Sequence, residues 1–312
     1  MLGVTNMFDR LVLITRKTRL EELIERFNTR AQAEFYIEHS SGDFSAYVEE
    51  HDAYQRSLET VRRSLEVGLK IQVMDRALLP THVFSKGDAV VTLGQDGLVA
   101  NTAKYVQGQP ILAVNPDPER FDGILLPFQP QDLGLQIERT LAGKIRTRAI
   151  SMAEARLKDA QRLLAFNDLF IGASSHISAR YRISCGDKTE NQSSSGIIVC
   201  TGAGSTGWLS SIFNETSGIV TFLGGAPVKP LRLDWEEERL LFVVREPFLS
   251  RHSQAGIVAG MVAPREPLTL ESQMPTAGVI FSDGVEADHL DFNSGAIATI
   301  GLAPEKANLV VQ

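Results

Sequence analysis

The chain has 312 residues, of which 43% are hydrophobic and 22% are charged, and its formal net charge at pH 7 is −7. That length and hydrophobic content suffice for two domains with separate cores. An acidic balance without a basic run argues against a nucleic-acid-binding or anionic-membrane-binding protein, and no apolar run approaches the roughly 20 residues of a membrane-spanning helix.

Targeting and metal signals are sparse in this sequence. The N-terminus lacks the successive basic, apolar and small-residue regions of a secretory signal, which predicts a cytoplasmic protein. The two cysteines, Cys185 and Cys200, have no C-x-x-C spacing and predict neither zinc nor a disulfide framework. Cys200 lies in an apolar run and is expected to be a small buried side chain. The six histidines are scattered, so no structural metal site is predicted.

Strand and helix signals alternate in the first part of the chain. Thr18 and Glu21 have the spacing of a capping box and predict the start of a helix. Further helices are predicted over 45–69, 98–105 and 133–141, and strands over 11–14, 34–38, 71–74, 89–93 and 110–115. This alternation predicts a doubly wound α/β domain with a parallel sheet at residues 1–143.

From about Lys144 the pattern changes to short β-rich runs, at 169–171, 179–183, 196–200, 218–222, 240–244 and 279–281. These runs predict a mostly antiparallel, sandwich-like β domain at residues 144–312, with a return of the extreme C-terminus to the first domain left open. Residues 151–164 are the exception, because Ser151 and Glu154 repeat the capping-box spacing and predict a connecting helix. Asp283-Gly284 and Asn293-Ser-Gly295 are predicted hairpin turns.

Residues 89–97 join a buried-strand signal to a glycine-bracketed turn with one carboxylate, Asp96. Gly94 and Gly97 would admit a ligand to bare backbone N–H groups, and the positive N-terminal end of the following helix favours phosphate. A carboxylate repels phosphate, so its place among these donors indicates a metal partner or a proton acceptor. From these residues alone, an ordinary Asp-Gly turn is the competing interpretation.

A second glycine-rich loop, Gly202-Ala-Gly-Ser-Thr-Gly207, matches G-x-G-x-x-G and follows a strand signal. The β-rich pattern expected after it, over 218–235, argues against a dehydrogenase-type dinucleotide fold. The loop could supply donors to a phosphate or ribose, or be only a tight hairpin. No G-x-S-x-G motif surrounds Ser205, which argues against a hydrolase triad. Asn167-Asp168 precedes a strand and could read a base edge or hold a ribose, or be only a turn.

These motifs, taken in order, resemble those of the NAD kinase family, and in particular its mitochondrial-type branch. The shared motifs are Gly94-Gln-Asp-Gly97, Pro110-Ile-Leu-Ala-Val-Asn115, Asn167-Asp168, Thr201-Gly-Ala-Gly-Ser-Thr206 and Asp283-Gly284. The features of the mitochondrial-type branch are Asn115-Pro-Asp-Pro-Glu-Arg120, Phe170-Ile-Gly172, Ser194-Ser-Gly196 with Cys200-Thr-Gly202, and Arg245-Glu-Pro247. The resemblance covers about residues 85–300.

The resemblance implies Mg²⁺-dependent transfer of the ATP γ-phosphoryl group to the adenosine 2′-hydroxyl of NAD, which gives NADP. Asp96 would be the general base, and no residue is assigned as a direct metal ligand. The implied NAD-binding residues are Gly97, Asn115, Asn167, Asp168, Thr206, Gly207, Trp208 and Ser211. The implied ATP-phosphate-binding residues are Gly94, Gln95, Gly97, Gly204 and Ser205. The expected partners are NAD, ATP and further copies of the chain, with a dimer favoured, and neither nucleic acid nor a membrane.

The sequence departs from the family pattern at two motif positions. Gln95 replaces the second glycine of its loop, and Asp168 replaces a glutamate, while Trp208 stands where the family often has tyrosine. Two alternatives therefore stay open: a related kinase of the same superfamily that acts on a lipid or another nucleoside, and a catalytically weak NAD(P)-binding protein. ATP or polyphosphate as donor, and NAD or NADH as acceptor, are also left open.

Overall fold

A computed structural model describes residues 8–312 of the chain. These residues divide into two compact units between Arg148 and Ala149, and Asn308–Gln312 belongs to the first unit. None of the helices within residues 8–312 is long and apolar enough to cross a membrane.

The first unit is built on a parallel sheet. Its elements are β1 (Arg10–Thr15), α1 (Arg19–Phe27), α2 (Arg30–His39), α3 (Ser45–Ser64), β2 (Lys70–Asp75), a 3-10 turn (Arg76–Thr81), β3 (Asp88–Leu93), α4 (Asp96–Ala103), β4 (Pro110–Val114) and α5 (Leu133–Leu141). The strands lie in the order β2-β1-β3-β4 and all pairs are parallel. Asn308 and Leu309, near the end of the chain, pair in parallel with β4.

The centre of this sheet is fully covered. Every residue of β3 is buried, as its apolar run predicts, and α3 and α5 pack on the sheet through residues such as Tyr54, Val61 and Ile137. α4 packs against β3 and β4. The one charge within β3, Asp88, accepts two hydrogen bonds from the guanidinium of Arg10 on the neighbouring strand.

The strand order of the first unit places a ligand-binding crevice. β1 lies between β2 and β3, so the chain leaves β1 towards opposite sides of the sheet. In open α/β sheets with this order, ligands bind outside the carboxyl ends of the strands at that switch point. Gly94 follows β3 and Arg16 follows β1, so both stand at the predicted location.

The second unit contains two β-sheets and one helix. Its elements are β5 (Arg146–Leu157), β6 (Arg162–Ala165), β7 (Asp168–Ala173), β8 (Ala179–Cys185), β9 (Lys188–Ser194), β10 (Ile197–Cys200), a 3-10 turn (Ala203–Thr206), α6 (Trp208–Phe222), β11 (Leu240–Val244), β12 (Ala259–Val262), β13 (Leu268–Ser272), β14 (Gly278–Ser282), β15 (Val285–Asp291) and β16 (Ile297–Val311). β5 begins shortly before the boundary between the units, and β16 ends beyond it.

One sheet of the second unit has six strands in the order β12-β11-β10-β7-β14-β15, and all of its pairs are antiparallel. β16, β13, β8 and β9 pair in a second sheet, to which β5 and β6 also belong. The core contains side chains from both sheets, among them Ile171 and Phe242 from the first and Tyr181 and Leu270 from the second. α6 covers the other face of the six-stranded sheet. The predicted fold class, a parallel α/β part followed by an antiparallel sandwich-like part, is therefore confirmed.

Three of the predicted elements are wrong. Residues 34–38, predicted as a strand, belong to α2, whose N-cap residue Thr29 accepts a hydrogen bond from Gln32 N at 3.2 Å. Ala33 and Ile37, four residues apart, are the buried positions of this helix, so a helical stripe of small and branched residues decides the structure.

Residues 151–164, predicted as a helix, form parts of β5 and β6. Ser151 N donates to Trp235 O at 2.9 Å, and residues 153–156 pair with 162–165 across a hairpin. Conversely, residues 218–222 are β-branched-rich and were predicted as a strand, but they form the last turns of α6. In both places packing overrides the local preference of the residues.

The two predicted hairpin turns have different outcomes. Asp283 and Gly284 have φ of 53° and 70° and join the antiparallel pair β14 and β15, as predicted. Residues 293–295 also form a turn, but β15 and β16, which it joins, belong to different sheets. This turn therefore carries the chain from one sheet to the other.

Candidate functional site

The first glycine loop leads from the edge of the parallel sheet into α4. Gly94 is buried, and a Cβ on it would lie 2.7 Å from Leu98 Cδ2, so a side chain there would displace the first turn of the helix. Gln95 is the N-cap residue, with φ −90° and ψ 170°, and its exposed side chain makes no capping hydrogen bond. A Cβ on exposed Gly97 would meet no atom within 4 Å. The N-terminus of α4 is consequently open to an anion.

Asp96 is the first residue of α4, where the helix dipole stabilises a carboxylate. Its Oδ1 accepts a hydrogen bond from Leu125 N at 2.8 Å. Its second oxygen has no hydrogen bond to another residue in the described part of the chain. One oxygen is therefore anchored by the segment that follows β4, while the other is available to a ligand.

Asn115 organises the same segment from inside. Its side chain is 4% exposed, its Nδ2 donates to Phe121 O at 2.9 Å and its Oδ1 accepts from Asp117 N at 3.0 Å. Gly123 has φ of 63°, and a Cβ on it would lie 2.6 Å from Asn115 Nδ2. The structure thus uses Asn115 to hold the loop after β4, and its predicted contact with NAD stays a prediction that would require these bonds to be shared.

In the second unit, the carboxylate of Asp283 fixes the backbone around Asn167 and Asp168. It accepts hydrogen bonds from Phe166 N at 3.0 Å, Asn167 N at 2.6 Å and Asp168 N at 3.2 Å. Asp283 N in turn donates to Asp168 O at 3.0 Å. The Asp-Gly turn of the β14–β15 hairpin is thereby a clamp on the start of β7, a role that its turn chemistry alone did not predict.

Thr201 ties the second glycine loop to the same backbone segment. Its N donates to Asn167 O at 2.9 Å, its Oγ1 donates to Phe166 O at 2.6 Å, and that oxygen accepts from Gly204 N at 3.2 Å. A Cβ on Gly204 would lie 2.2 Å from Asn167 O, so only glycine permits this approach. The sequence gave no signal for the role of Thr201 beyond its place beside a glycine.

Asn167 and Asp168 present different side chains from this fixed backbone. The half-buried amide of Asn167 makes no hydrogen bond within the described chain. Asp168 is 8% exposed, and burial, followed by the charge of Asp283, raises its pKa to about 7. Cys200, its partner across the ladder, is buried as predicted, and burial raises its pKa. Asp168 is therefore available as a proton-bearing donor near neutral pH.

The loop from Gly202 to Gly207 does not have the predicted β-rich context, because it leads into α6. It still is not a Rossmann loop, since β10 pairs antiparallel with both β7 and β11. Buried Ser205 donates through Oγ to Gly202 O at 2.7 Å, and Gly204 N is occupied by Thr201. The phosphate contacts predicted for Gly204 and Ser205 stay predictions and would require these bonds to be exchanged.

Of the NAD-binding residues predicted at the start of α6, Thr206, Gly207 and Ser211 are exposed, and Trp208 lines a pocket of about 600 Å³. The Trp208 and Phe170 rings are near-parallel, at 8° with centroids 5.9 Å apart, and the Arg245 guanidinium lies 5.3 Å from the Trp208 ring centroid. Aromatic faces beside a guanidinium suit a flat, partly charged ligand. The sequence patterns missed Phe170 and Arg245 as neighbours of Trp208.

The part of the chain described here, residues 8–312, contains no group of three or more His, Cys, Asp or Glu side chains placed to hold a metal ion.

Comparison with known proteins gives relatives with one activity in their names. No protein-family model matches the chain. The chain is 24% identical to NAD kinase 2, mitochondrial, from Rattus norvegicus, over 95% of this chain and 86% of that protein. It is 25% identical to the Homo sapiens protein of the same name, over 95% and 82%. Two NAD kinases from Burkholderia cenocepacia strains match about four-tenths of the chain at 28% identity.

Solved structures show the same fold. Yeast NADH kinase complexed with NADH covers 99% of this chain and 84% of its own, with a TM-score of 0.59 at 16% identity. An NAD kinase from Archaeoglobus fulgidus in complex with ATP covers 96% and 92%, with a TM-score of 0.55 at 15% identity. The chain belongs to the NAD kinase family. The resemblance of the ordered motifs is confirmed, and the roles of the individual site residues in this family member remain to be proposed.

The close approach of Gly204 to Asn167 generates a stability prediction. Gly204→Ala places a Cβ against the Asn167 carbonyl oxygen, and we expect a loss of about 1–3 kcal/mol in the free energy of unfolding, typical of overpacking. Gly218→Ala within α6 is the matched control, because its Cβ meets nothing within 4 Å and should stabilise by about 0.5–1 kcal/mol. Urea denaturation measures both. Equal stability of Gly204→Ala and the unmodified protein would show that the loop does not need glycine there.

The raised pKa of Asp168 predicts a pH dependence of stability. Between its ordinary value of 3.8 and about 7, the folded protein retains a proton that the unfolded chain releases, so the free energy of unfolding falls as the pH rises through that window. Asp168→Asn has no such proton and should fall less between about pH 5 and about pH 7. Exposed Asp187→Asn is the control and should follow the unmodified protein. An unchanged slope for Asp168→Asn contradicts the assignment.

Proposed function

We propose that this chain is an NAD kinase, which transfers the γ-phosphoryl group of ATP to the adenosine 2′-hydroxyl of NAD and gives NADP. The observation that carries the proposal is the position of Asp96, a carboxylate with one unshared oxygen at the open N-terminus of α4, at the switch point of a parallel sheet. The relatives named NAD kinase 2 and the fold shared with complexes of NADH and of ATP support it.

In this proposal Asp96 is the general base. The 2′-hydroxyl donates a hydrogen bond to the unshared oxygen of Asp96, and its proton passes to that carboxylate as the 2′-oxygen bonds to the γ-phosphorus. The bond between the γ-phosphorus and the bridging oxygen breaks, and ADP leaves with the electron pair. The hydrogen bond from Leu125 N keeps the carboxylate from rotating, so its free oxygen has one direction.

Gly94, Gln95 and Gly97 are proposed to receive the ATP phosphates, because they surround the N-terminus of α4, where N–H groups point away from the helix. Mg²⁺ usually takes one or two carboxylates together with phosphate oxygens and water. The single unshared oxygen of Asp96 fits that donor set, and Mg²⁺ is proposed to enter with ATP. When bound, the ion neutralises charge on the β- and γ-phosphate oxygens.

NAD is proposed to use the side chains of the second unit. The unbonded amide of Asn167 and the carboxyl of Asp168 would contact its ribose or nicotinamide side, and Trp208 would stack on a ring. A protonated Asp168 would donate a hydrogen bond, whereas the ionised form only accepts one. Thr206, Gly207 and Ser211 lie at the exposed start of α6, where their polar groups are accessible to the same ligand.

A homo-oligomer, with a dimer favoured, is also proposed. Ile219, Phe222 and Leu223, at the end of α6, expose large apolar side chains, with 88% of Phe222 accessible, and burial between copies would remove this surface from water. The cytoplasmic location stays a prediction, and the rat and human relatives carry the word mitochondrial in their names.

The general-base role is tested by Asp96→Asn, which keeps the size of the side chain and the acceptor for Leu125 N but removes the base. We expect kcat for NADP formation to fall by about 10²- to 10⁴-fold, while the affinity for NAD changes little. NADP is followed with an NADP-specific dehydrogenase, in the presence of Mg²⁺, ATP and NAD.

Asp132→Asn is the matched control, because Asp132 also accepts one backbone hydrogen bond, from Gln129 N at 3.2 Å, and is exposed. It should keep the full kcat. A titration with Mg²⁺ separates the remaining roles, since a variant that lost a metal ligand would regain activity at high Mg²⁺ and one that lost its base would not. Near-normal turnover of Asp96→Asn removes this residue from the mechanism.

A further inference from the structure

Arg16 is the charged residue that the crevice at the carboxyl ends of β1 and β3 places beside the first glycine loop. It directly follows β1, and Gly94 directly follows β3, the neighbouring strand. A Cβ built on Gly94 would lie 3.6 Å from Arg16 Cδ, so the stem of the arginine passes next to this glycine. No motif in the sequence pointed to Arg16.

The guanidinium is buried and only partly satisfied. The Arg16 side chain is 9% exposed, its Nη2 donates to Glu50 Oε1 at 3.0 Å and its Nη1 donates to Lys17 O at 3.0 Å. Its Nε is buried and has no hydrogen-bond partner among the described residues. A buried, charged N–H without an acceptor costs free energy, and a ligand oxygen would relieve that cost.

Glu50 does not balance the local charge. Its carboxylate also accepts a hydrogen bond from Arg19, so two guanidiniums share one carboxylate. Burial would raise the pKa of Glu50, but the hydrogen bonds from Arg19 and Arg16 outweigh it and hold the pKa below its ordinary value. With Glu50 ionised, this group of three side chains keeps one positive charge in excess. Of the two arginines, Arg16 is the buried one, because Arg19 is 50% exposed.

We propose that Arg16 binds the polyphosphate chain of the phosphoryl donor, with its Nε–H donating to a phosphate oxygen that lies over Gly94. The identification of that donor as ATP rests on the proposed function. The shared chemistry is a linear polyphosphate, which a nucleoside triphosphate and inorganic polyphosphate both present. Glu50 then holds the fork of the guanidinium in place before the ligand arrives, so that little side-chain entropy is lost on binding.

The test compares three forms of the full chain by calorimetric titration with the Mg²⁺ complex of AMP-PNP and, separately, with inorganic tripolyphosphate. Arg16→Lys keeps the charge and removes Nε, and we expect it to weaken AMP-PNP binding by about 10-fold or more. Arg19→Lys is the matched control, since it changes the other partner of Glu50 away from Gly94, and should weaken binding by less than about 3-fold. NAD affinity should be unchanged in both.

The two ligands identify the source of the phosphate. A loss for both ligands shows that Arg16 reads the phosphate chain itself, and a loss for AMP-PNP alone assigns it to the nucleoside triphosphate. Equal affinities of the unmodified protein and Arg16→Lys for AMP-PNP overturn the inference, as does an equal loss for Arg19→Lys. If Arg16→Lys fails to fold, a crystal structure of the unmodified chain with AMP-PNP decides, and a phosphate oxygen beyond hydrogen-bond distance of Arg16 Nε overturns it.

This result is separable from the proposed function. An unmodified protein that binds AMP-PNP through Arg16 but forms no NADP supports the inference and contradicts the NAD kinase proposal. An unmodified protein that forms NADP while Arg16→Lys binds AMP-PNP normally does the reverse.

Discussion

The complete burial of β3 fixes where the chemistry of the first unit takes place. A strand covered on both faces offers a ligand only its end, and β3 ends where Gly94 lets the chain turn directly into α4. The helix then begins at Asp96, so that its unsatisfied N–H groups and the carboxylate stand together. Phosphate binding and proton acceptance follow from one turn, because the amides attract the donor and the carboxylate is held on Leu125 N.

The second unit achieves a comparable rigidity with side chains rather than strand burial alone. Asp283 holds the backbone of 166–168 on one side, and Thr201 holds it on the other, through Phe166 O and Asn167 O. Because the backbone groups are satisfied, the side chains of Asn167 and Asp168 are left for a ligand. The cost is carried by Asp168, whose pKa rises to about 7 through burial and the charge of Asp283.

The sequence was sufficient where local chemistry and tertiary structure agree. The apolar run of β3, the capping box at Thr18 and the φ-demanding Asp283-Gly284 turn all lie where their residues predict. It failed where packing decides, as in residues 151–164, whose helix-favouring residues pair as strands. Asp96 was found because a carboxylate among glycines is unusual. Arg16 and Thr201 were not, since their roles depend on neighbours across the sheet and across the hairpin, which spacing along the chain does not reveal.

The most direct test of the NAD kinase proposal is the identity of the product. The purified full chain is incubated with Mg²⁺, ATP and NAD, and the phosphorylated product is examined by ³¹P and ¹H NMR. The account predicts one new phosphomonoester, on the 2′-oxygen of the adenosine ribose, formed in equal amount with ADP. ADP without phosphorylated NAD, a phosphate on any other oxygen, or no reaction would contradict it.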